Sequence, residues 1–291
     1  MWLSDLKACA APPRLSLGAV LAGAAVASMG LGLMSSGALA VQPEPWQVTM
    51  QPAATPVAEQ MHWFHNFLLY IITGIVGFVV LLLAYVLVRF RESVNPTPSR
   101  TTHNTLLEIV WTVVPILILL VIAIPSFRLL YAQFDFPKAD LTIKAIGSQW
   151  YWTYEYPDYD DLTFDAVMVE DDKLQPGQLR LLTTDNKVVV PVNSNVEVLV
   201  TGTDVIHSWA VPAFGVKVDA VPGRVLRTWF RAERTGTYYG ECSELCGSRH
   251  AFMPIEIRVV SKNEFTQWLA EARKKFASSP GGGGTLVRLD Q

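Results

Sequence analysis

Two uncharged runs decide what this chain can fold into. Asn66 to Val88 is 23 residues without a charged side chain, and Ile109 to Phe127 is a second such run of 19. About 20 apolar residues cross a bilayer core as a helix, because lipid offers no partner to backbone N–H or C=O groups and a helix satisfies its own. Both runs are too long and too uniformly apolar for the alternating strands of a membrane barrel. They predict a transmembrane hairpin over residues 61–137, with helices at about 62–90 and 106–131. A composition of 51% hydrophobic and 17% charged residues agrees. The formal net charge of −3 gives no support to nucleic-acid binding.

Arg89, Arg91 and Arg100 stand in the loop between the runs, so the positive-inside rule puts that loop on the cytoplasmic side and both ends of the hairpin outside. An export signal upstream agrees with this. Residues 1–40 carry Lys7 and Arg14, then an apolar stretch from Leu15 to Leu33, then Ala38-Leu39-Ala40, the pattern of a cleavable signal peptide. The apolar stretch is long for a signal, and a retained membrane helix is the alternative. Pro43, Pro45, Pro52 and Pro56 make residues 41–60 a linker on the outer face. Within the spans, Pro115 and Pro125 call for neighbours that re-satisfy freed carbonyls, and Gly74 and Gly77 permit close approach. Glu108 opens the second span, where a carboxylate is favoured by the helix dipole.

From residue 138 to 260 the pattern changes to short β-branched segments. Leu141 to Ile146, Val188 to Val192, Val196 to Thr201, Val225 to Phe230 and Ile255 to Val259 are separated by turn signals such as Pro176-Gly177 and Pro222-Gly223. About 120 residues of such strands fit a Greek-key β-sandwich. Trp150 to Tyr156 reads as one strand with aromatics on both faces, so one set is exposed or at an interface. Glu155, Asp158, Asp160, Asp161, Asp165, Glu170, Asp171 and Asp172 follow within eighteen residues that hold no Lys or Arg. Such a run is a solvated face or a surface that steers a basic partner, and Asp185 and Asp204 extend it. Ser261-Lys262-Asn263-Glu264 is a capping box. Phe265, Trp268, Leu269, Ala272 and Phe276 then recur at helical spacing, giving an amphipathic helix over 261–277 and a flexible tail over 278–291.

Four soft ligands lie in the twelve residues from Cys242 to Met253: Cys242, Cys246, His250 and Met253. Two thiolates, an imidazole and a thioether suit a soft metal such as copper. A single electron-transfer copper needs one Cys; a second at C-x3-C allows both sulfurs to bridge two ions, each needing its own imidazole. His207, in Thr-Asp-Val-Ile-His-Ser-Trp-Ala-Val-Pro, is the candidate for the second. A Cys242–Cys246 disulfide is the competing reading for an exported domain.

At these residues, and from about Val57 to Leu269, the chain resembles subunit II of the haem–copper cytochrome c oxidases, of the bacterial type. The resemblance implies a cupredoxin-like sandwich holding a binuclear copper centre, CuA. It assigns Cys242 and Cys246 as bridges, His207 and His250 as terminal ligands, and Met253 and the main-chain carbonyl of Glu244 as weak axial ligands. It implies that the Glu244 carboxylate ligates a magnesium ion shared with subunit I; one carboxylate alone holds such an ion weakly. It further implies that Trp150 is where an electron enters from cytochrome c, that the acids Glu155, Asp158, Asp160, Asp161, Asp185 and Asp204 dock that partner, and that Glu108 sits at the cytoplasmic mouth of a proton channel in subunit I.

The implied activity is that of a subunit of a proton-pumping oxidoreductase and translocase. It passes single electrons to haem in subunit I, which with CuB reduces oxygen to water, and subunit III is a further partner. The implied place is the bacterial inner membrane, multi-pass, with the copper domain in the periplasm. A quinol oxidase subunit would keep the hairpin and sandwich without copper ligands, and nitrous-oxide reductase would add many histidines, whereas this chain has five.

Overall fold

A computed structural model describes residues 39–160 and 162–276. The expected signal segment, apart from its last residues, and the Gly-rich tail lie outside the described residues, as does Asp161.

Helix α1 (Pro56–Arg89) and helix α2 (Thr105–Phe134) form the hairpin. α1 starts six residues before the expected position and takes in part of the expected linker. The reason is local: Thr55 caps the helix by accepting the Ala58 N–H, and Pro56 occupies the first turn, where its missing N–H costs nothing. Asn104 caps α2 in the same way, and the helix runs unbroken through Pro115 and Pro125. Both helices are long and apolar enough to cross a membrane. Their side chains are largely uncovered by the rest of the chain, as a lipid-facing or partner-facing surface requires. Nothing lies within 4 Å of a Cβ built at Gly74 or Gly77, so neither glycine mediates contact between α1 and α2.

The β domain follows as two sheets. Its strands are β1 (Leu39–Val41), β2 (Leu141–Ser148), β3 (Tyr151–Tyr156), β4 (Leu162–Ala166), β5 (Val188–Pro191), β6 (Val196–Gly202), β7 (His207–Val211), β8 (Val216–Ala220), β9 (Leu226–Phe230), β10 (Gly236–Cys242) and β11 (Pro254–Val260). One sheet has the order β5-β11-β10-β7-β8, with β1 beside β10; the other is β4-β3-β2-β6-β9. β2–β6 and β5–β11 are parallel, and β10–β11, β7–β10, β2–β3, β3–β4, β6–β9 and β7–β8 are antiparallel. Alternation decides which side chains go inside: Leu141, Ile143 and Ala145 of β2, Trp152, Tyr154 and Tyr156 of β3, and Val196, Val198 and Val200 of β6 are all buried. Across the sandwich, Trp209 of β7 stacks on Phe230 of β9 and donates its indole N–H to the Tyr154 hydroxyl at 3.3 Å. This is the sandwich that the strand pattern predicts.

Trp150 is not part of strand β3. Ser148 pairs with Tyr151, so Gln149 and Trp150 are the two loop residues of the β2–β3 hairpin. The tryptophan therefore stands at a tip.

The segment before α1 holds the sandwich to the hairpin. Ala54 N–H donates to Ala213 carbonyl at 2.8 Å, the Thr55 hydroxyl to Phe214 carbonyl at 2.8 Å, and Glu233 N–H to Ala54 carbonyl at 3.0 Å. Gly215 lies against α1 at φ +67°, where a Cβ would meet Met61 Sδ at 2.7 Å and Ala58 Cα at 3.1 Å. No larger residue fits that junction.

At the other end, α3 (Lys262–Phe276) buries Phe265, Leu269 and Ala272 on the sandwich, while Phe276 stacks on Phe164. Its capping box forms as expected, with Ser261 and Glu264 bonded reciprocally.

Candidate metal centre

The loop from Ser243 to Met253 joins β10 to β11, and the pairing of Glu241 with Pro254 closes its base. Cys242 is the last residue of β10. Beside it lies β7, whose first residue is His207. A short 3-10 turn, His250–Phe252, carries the chain back over the loop and aims His250 and Met253 inward. The loop is fixed from several sides: Ser243 N–H donates to Ser208 carbonyl at 3.0 Å, His250 N–H to Gly247 carbonyl at 3.2 Å, and Met253 carbonyl accepts from Cys242 N–H and the Trp152 indole.

The ligand atoms converge. Cys242 Sγ and Cys246 Sγ are 3.8 Å apart, far beyond the about 2.05 Å of a disulfide, so both cysteines are free. Each sulfur has its own imidazole: His207 Nδ1 lies 3.9 Å from Cys242 Sγ and His250 Nδ1 lies 3.6 Å from Cys246 Sγ. Met253 Sδ lies 3.5 Å from Cys246 Sγ, and Glu244 carbonyl 3.4 Å from Cys242 Sγ. All six groups named in the sequence therefore meet. His207, Cys242, Cys246 and Met253 are buried, whereas His250 is half-buried and the Glu244 side chain is exposed.

Electrostatics distinguish the two sulfurs. Burial pushes the Cys242 thiol up, but hydrogen bonds from His207 and from backbone amides outweigh it and bring it below the usual thiol range. Burial and the adjacent Cys242 charge push Cys246 up. Burial lowers the affinity of His207 for a proton, yet its bonds to Cys242 and the Asp204 carboxylate hold it above the ordinary histidine value. Asp204 itself is raised by burial but lowered further by the hydrogen bonds it accepts, the one from His207 first. Soft donors arranged to share charge around a small space fit a thiolate-bridged pair of soft metal ions.

Trp150 lies against this loop. Its indole N–H donates to Cys246 carbonyl at 3.3 Å, and the Gln149 side-chain amide donates to the same oxygen at 2.8 Å. Gly247 makes the contact possible. At φ +122° its missing Cβ would stand 3.0 Å from Gln149 Nε2 and 3.1 Å from the Trp150 ring. Gln149, Gly247 and Trp152 escaped the sequence reading; glycine beside a ligand cysteine was the one available signal.

The candidate docking acids have work inside the chain. Glu155 pairs with Lys144 across the β2–β3 ladder at 2.8 Å, and Asp160 with Arg273 of α3 at 2.8 Å. Asp158 accepts Thr142 N–H at 2.6 Å, and Asp185 accepts Val167 N–H at 2.8 Å. Asp204 accepts Gln149 N–H at 2.7 Å and lies 2.8 Å from His207 Nε2. Glu108 stands in the first turn of α2, remote in sequence and fold from the metal centre.

Residues 141–260 match the family described as cytochrome c oxidase subunit II, periplasmic domain, and residues 43–129 match its transmembrane domain. The chain is similar to a probable cytochrome c oxidase subunit 2 of Rickettsia conorii, 52% identical over 263 residues covering 90% of this chain and 82% of the relative. It is 48% identical over 269 residues to cytochrome c oxidase subunit 2 of Cereibacter sphaeroides, covering 83% and 88%. A solved periplasmic domain of subunit II of cytochrome oxidase of Bradyrhizobium japonicum is 60% identical, covering 48% of this chain and 99% of that one, with a TM-score of 0.46.

Proposed function

Since the chain belongs to the cytochrome c oxidase subunit II family, we propose that it holds a binuclear CuA centre and relays single electrons from cytochrome c to haem in subunit I. The observation that carries this is the doubled ligand set: two sulfurs 3.8 Å apart, with His207 Nδ1 3.9 Å from Cys242 and His250 Nδ1 3.6 Å from Cys246. A site for one ion would leave one of these pairs idle. When bound, the copper pair supplies reversible one-electron exchange.

The chain's own residues do the rest. Cys242 and Cys246, as thiolates, would hold the copper pair together with His207 and His250. Met253 and the Glu244 carbonyl would add weaker donors. Ligands spread over β7, β10 and the closed loop move little on a change of charge, which suits a relay. Buried Trp152 and Met253 keep water from the sulfurs. Trp150, bonded through its indole to the Cys246 carbonyl, offers an aromatic surface at a hairpin tip where the haem edge of cytochrome c can approach.

The finer assignments of this reading follow the family resemblance. The Glu244 carboxylate, exposed beside the centre, points outward and is available to a magnesium ion shared with subunit I. Glu108 lies at the end of α2 that adjoins the arginine-bearing loop, the cytoplasmic side by the positive-inside rule, and there serves the proton channel of subunit I. The two spans anchor the chain in the bacterial inner membrane against subunit I, and subunit III completes a complex that reduces oxygen to water and pumps protons. Metal analysis of the purified full-length chain tests the reading. Two coppers per chain are expected, and a stoichiometry of one would rule out the binuclear centre.

A further inference from the structure

Asp204 stands in the loop between β6 and β7, three residues before His207. Both of its carboxylate oxygens are engaged. Oδ1 lies 2.8 Å from His207 Nε2 and accepts Val205 N–H at 2.7 Å, while Oδ2 accepts Gln149 N–H at 2.7 Å. Gln149 precedes Trp150 at the hairpin tip, and its side chain is tied to Cys246. One carboxylate thus joins the imidazole that faces Cys242 to the main chain that carries Trp150.

The bond has a defined chemical effect. An imidazole that donates its Nε2 proton to a carboxylate keeps Nδ1 free as the donor to a metal, and gains basicity there. The ring has little freedom otherwise. A Cβ at Gly147 of β2 would meet the His207 ring at 2.9 Å, so β2 passes directly over one face of it. A charge on the remote nitrogen of a ligand also favours the more oxidised, more positive state of the metal. Asp204 is about a third exposed, but its geometry is that of a brace.

Resting on the copper reading above, we propose that Asp204 is a positioning residue of the metal centre. It fixes the tautomer and tilt of His207, lowers the reduction potential of the bound copper pair, and holds the Gln149–Trp150 tip in register with the ligand shell.

The test uses the full-length chain in the assembled oxidase, with Asp204→Asn as the main variant because Asn keeps the shape and one acceptor while losing the charge. Asp204→Ala removes both. Three readouts separate the roles: the reduction potential of the copper centre by spectroelectrochemistry, the nitrogen hyperfine couplings of the two imidazoles, and the ionic-strength dependence of cytochrome c association. The expected result is an upward shift of potential in Asn, larger in Ala, with one imidazole coupling altered. Copper loss in Asn with the fold intact by circular dichroism is the same result in stronger form. Wild-type potential and couplings in Asn would overturn the proposal, and a change confined to the salt dependence would return Asp204 to the docking surface. A wild-type control lacking a binuclear signal would count against the copper reading itself.

Discussion

The indole N–H of Trp150 donates to the main-chain carbonyl of Cys246 at 3.3 Å, so an aromatic ring at a hairpin tip is hydrogen-bonded to a residue of the candidate metal centre. Trp150→Gln removes the ring and leaves the surrounding charges unchanged. Electron delivery at saturating cytochrome c should slow markedly while the association rate stays near wild type. Stopped-flow reduction measures both. Equal rates at saturation would make Trp150 a packing residue only.

Gly247 is the residue on which that contact depends. Gly247→Ala places a Cβ at φ +122° into the Gln149 amide and the Trp150 ring. Backbone strain of this kind costs about 1–3 kcal/mol. The variant should unfold at a lower temperature and hold copper less tightly, seen by a thermal melt and by competition with a copper chelator. An unchanged melt would mean that the tip moves aside freely.

Partner association should depend on which acids remain free to attract. Glu155 pairs with Lys144, so replacing both, Glu155→Gln with Lys144→Met, changes no net charge and should leave the on-rate for cytochrome c nearly unchanged. Asp158 accepts the Thr142 N–H and forms no ion pair among the described residues. Asp158→Asn should lower the on-rate and flatten its ionic-strength dependence, because steering acts through long-range charge. Rate measurements across salt concentrations decide between them; identical slopes for both variants would contradict the assignment.

The capping box of α3 sets a pH limit. Hydrogen bonds from the Ser261 hydroxyl and N–H hold the Glu264 carboxyl below its ordinary value. A carboxyl lowered on folding stabilises the helix above the ordinary carboxylate range, and that contribution is lost as pH falls through the lowered value. Protection of the α3 amides from exchange, taken relative to the intrinsic rate at each pH, should therefore fall in acid, and Glu264→Ala should show the lower protection already at neutral pH. Protection that is flat with pH in the wild type would show the box to be idle.

The hairpin, the ligand spacing and the capping box were legible in the sequence because each is set by neighbours a few residues apart. Long-range geometry was not. Gln149-Trp150 carries no turn-forming residue, and its place at a tip follows from the Ser148–Tyr151 pairing and from bonds to Cys246 and Asp204. Asp204 and Glu155 read as surface charge because a sequence displays the acid and conceals its partner. Pro56 read as a barrier to helix, whereas Thr55 turned it into the first residue of one. Strands β4, β7, β8 and β10 were not separated from their loops, since aromatic, polar and ligand residues break their alternation.

The central claim is that Cys242 and Cys246 bridge two copper ions, and electron paramagnetic resonance of the copper-loaded full-length chain tests it most directly. One unpaired electron shared equally over two copper nuclei gives a hyperfine pattern that a single copper cannot produce. The wild type should show that shared pattern, and Cys246→Ser should lose it. A wild-type spectrum of an electron confined to one copper, or a Cys246→Ser variant that keeps the shared pattern, would contradict the bridged centre.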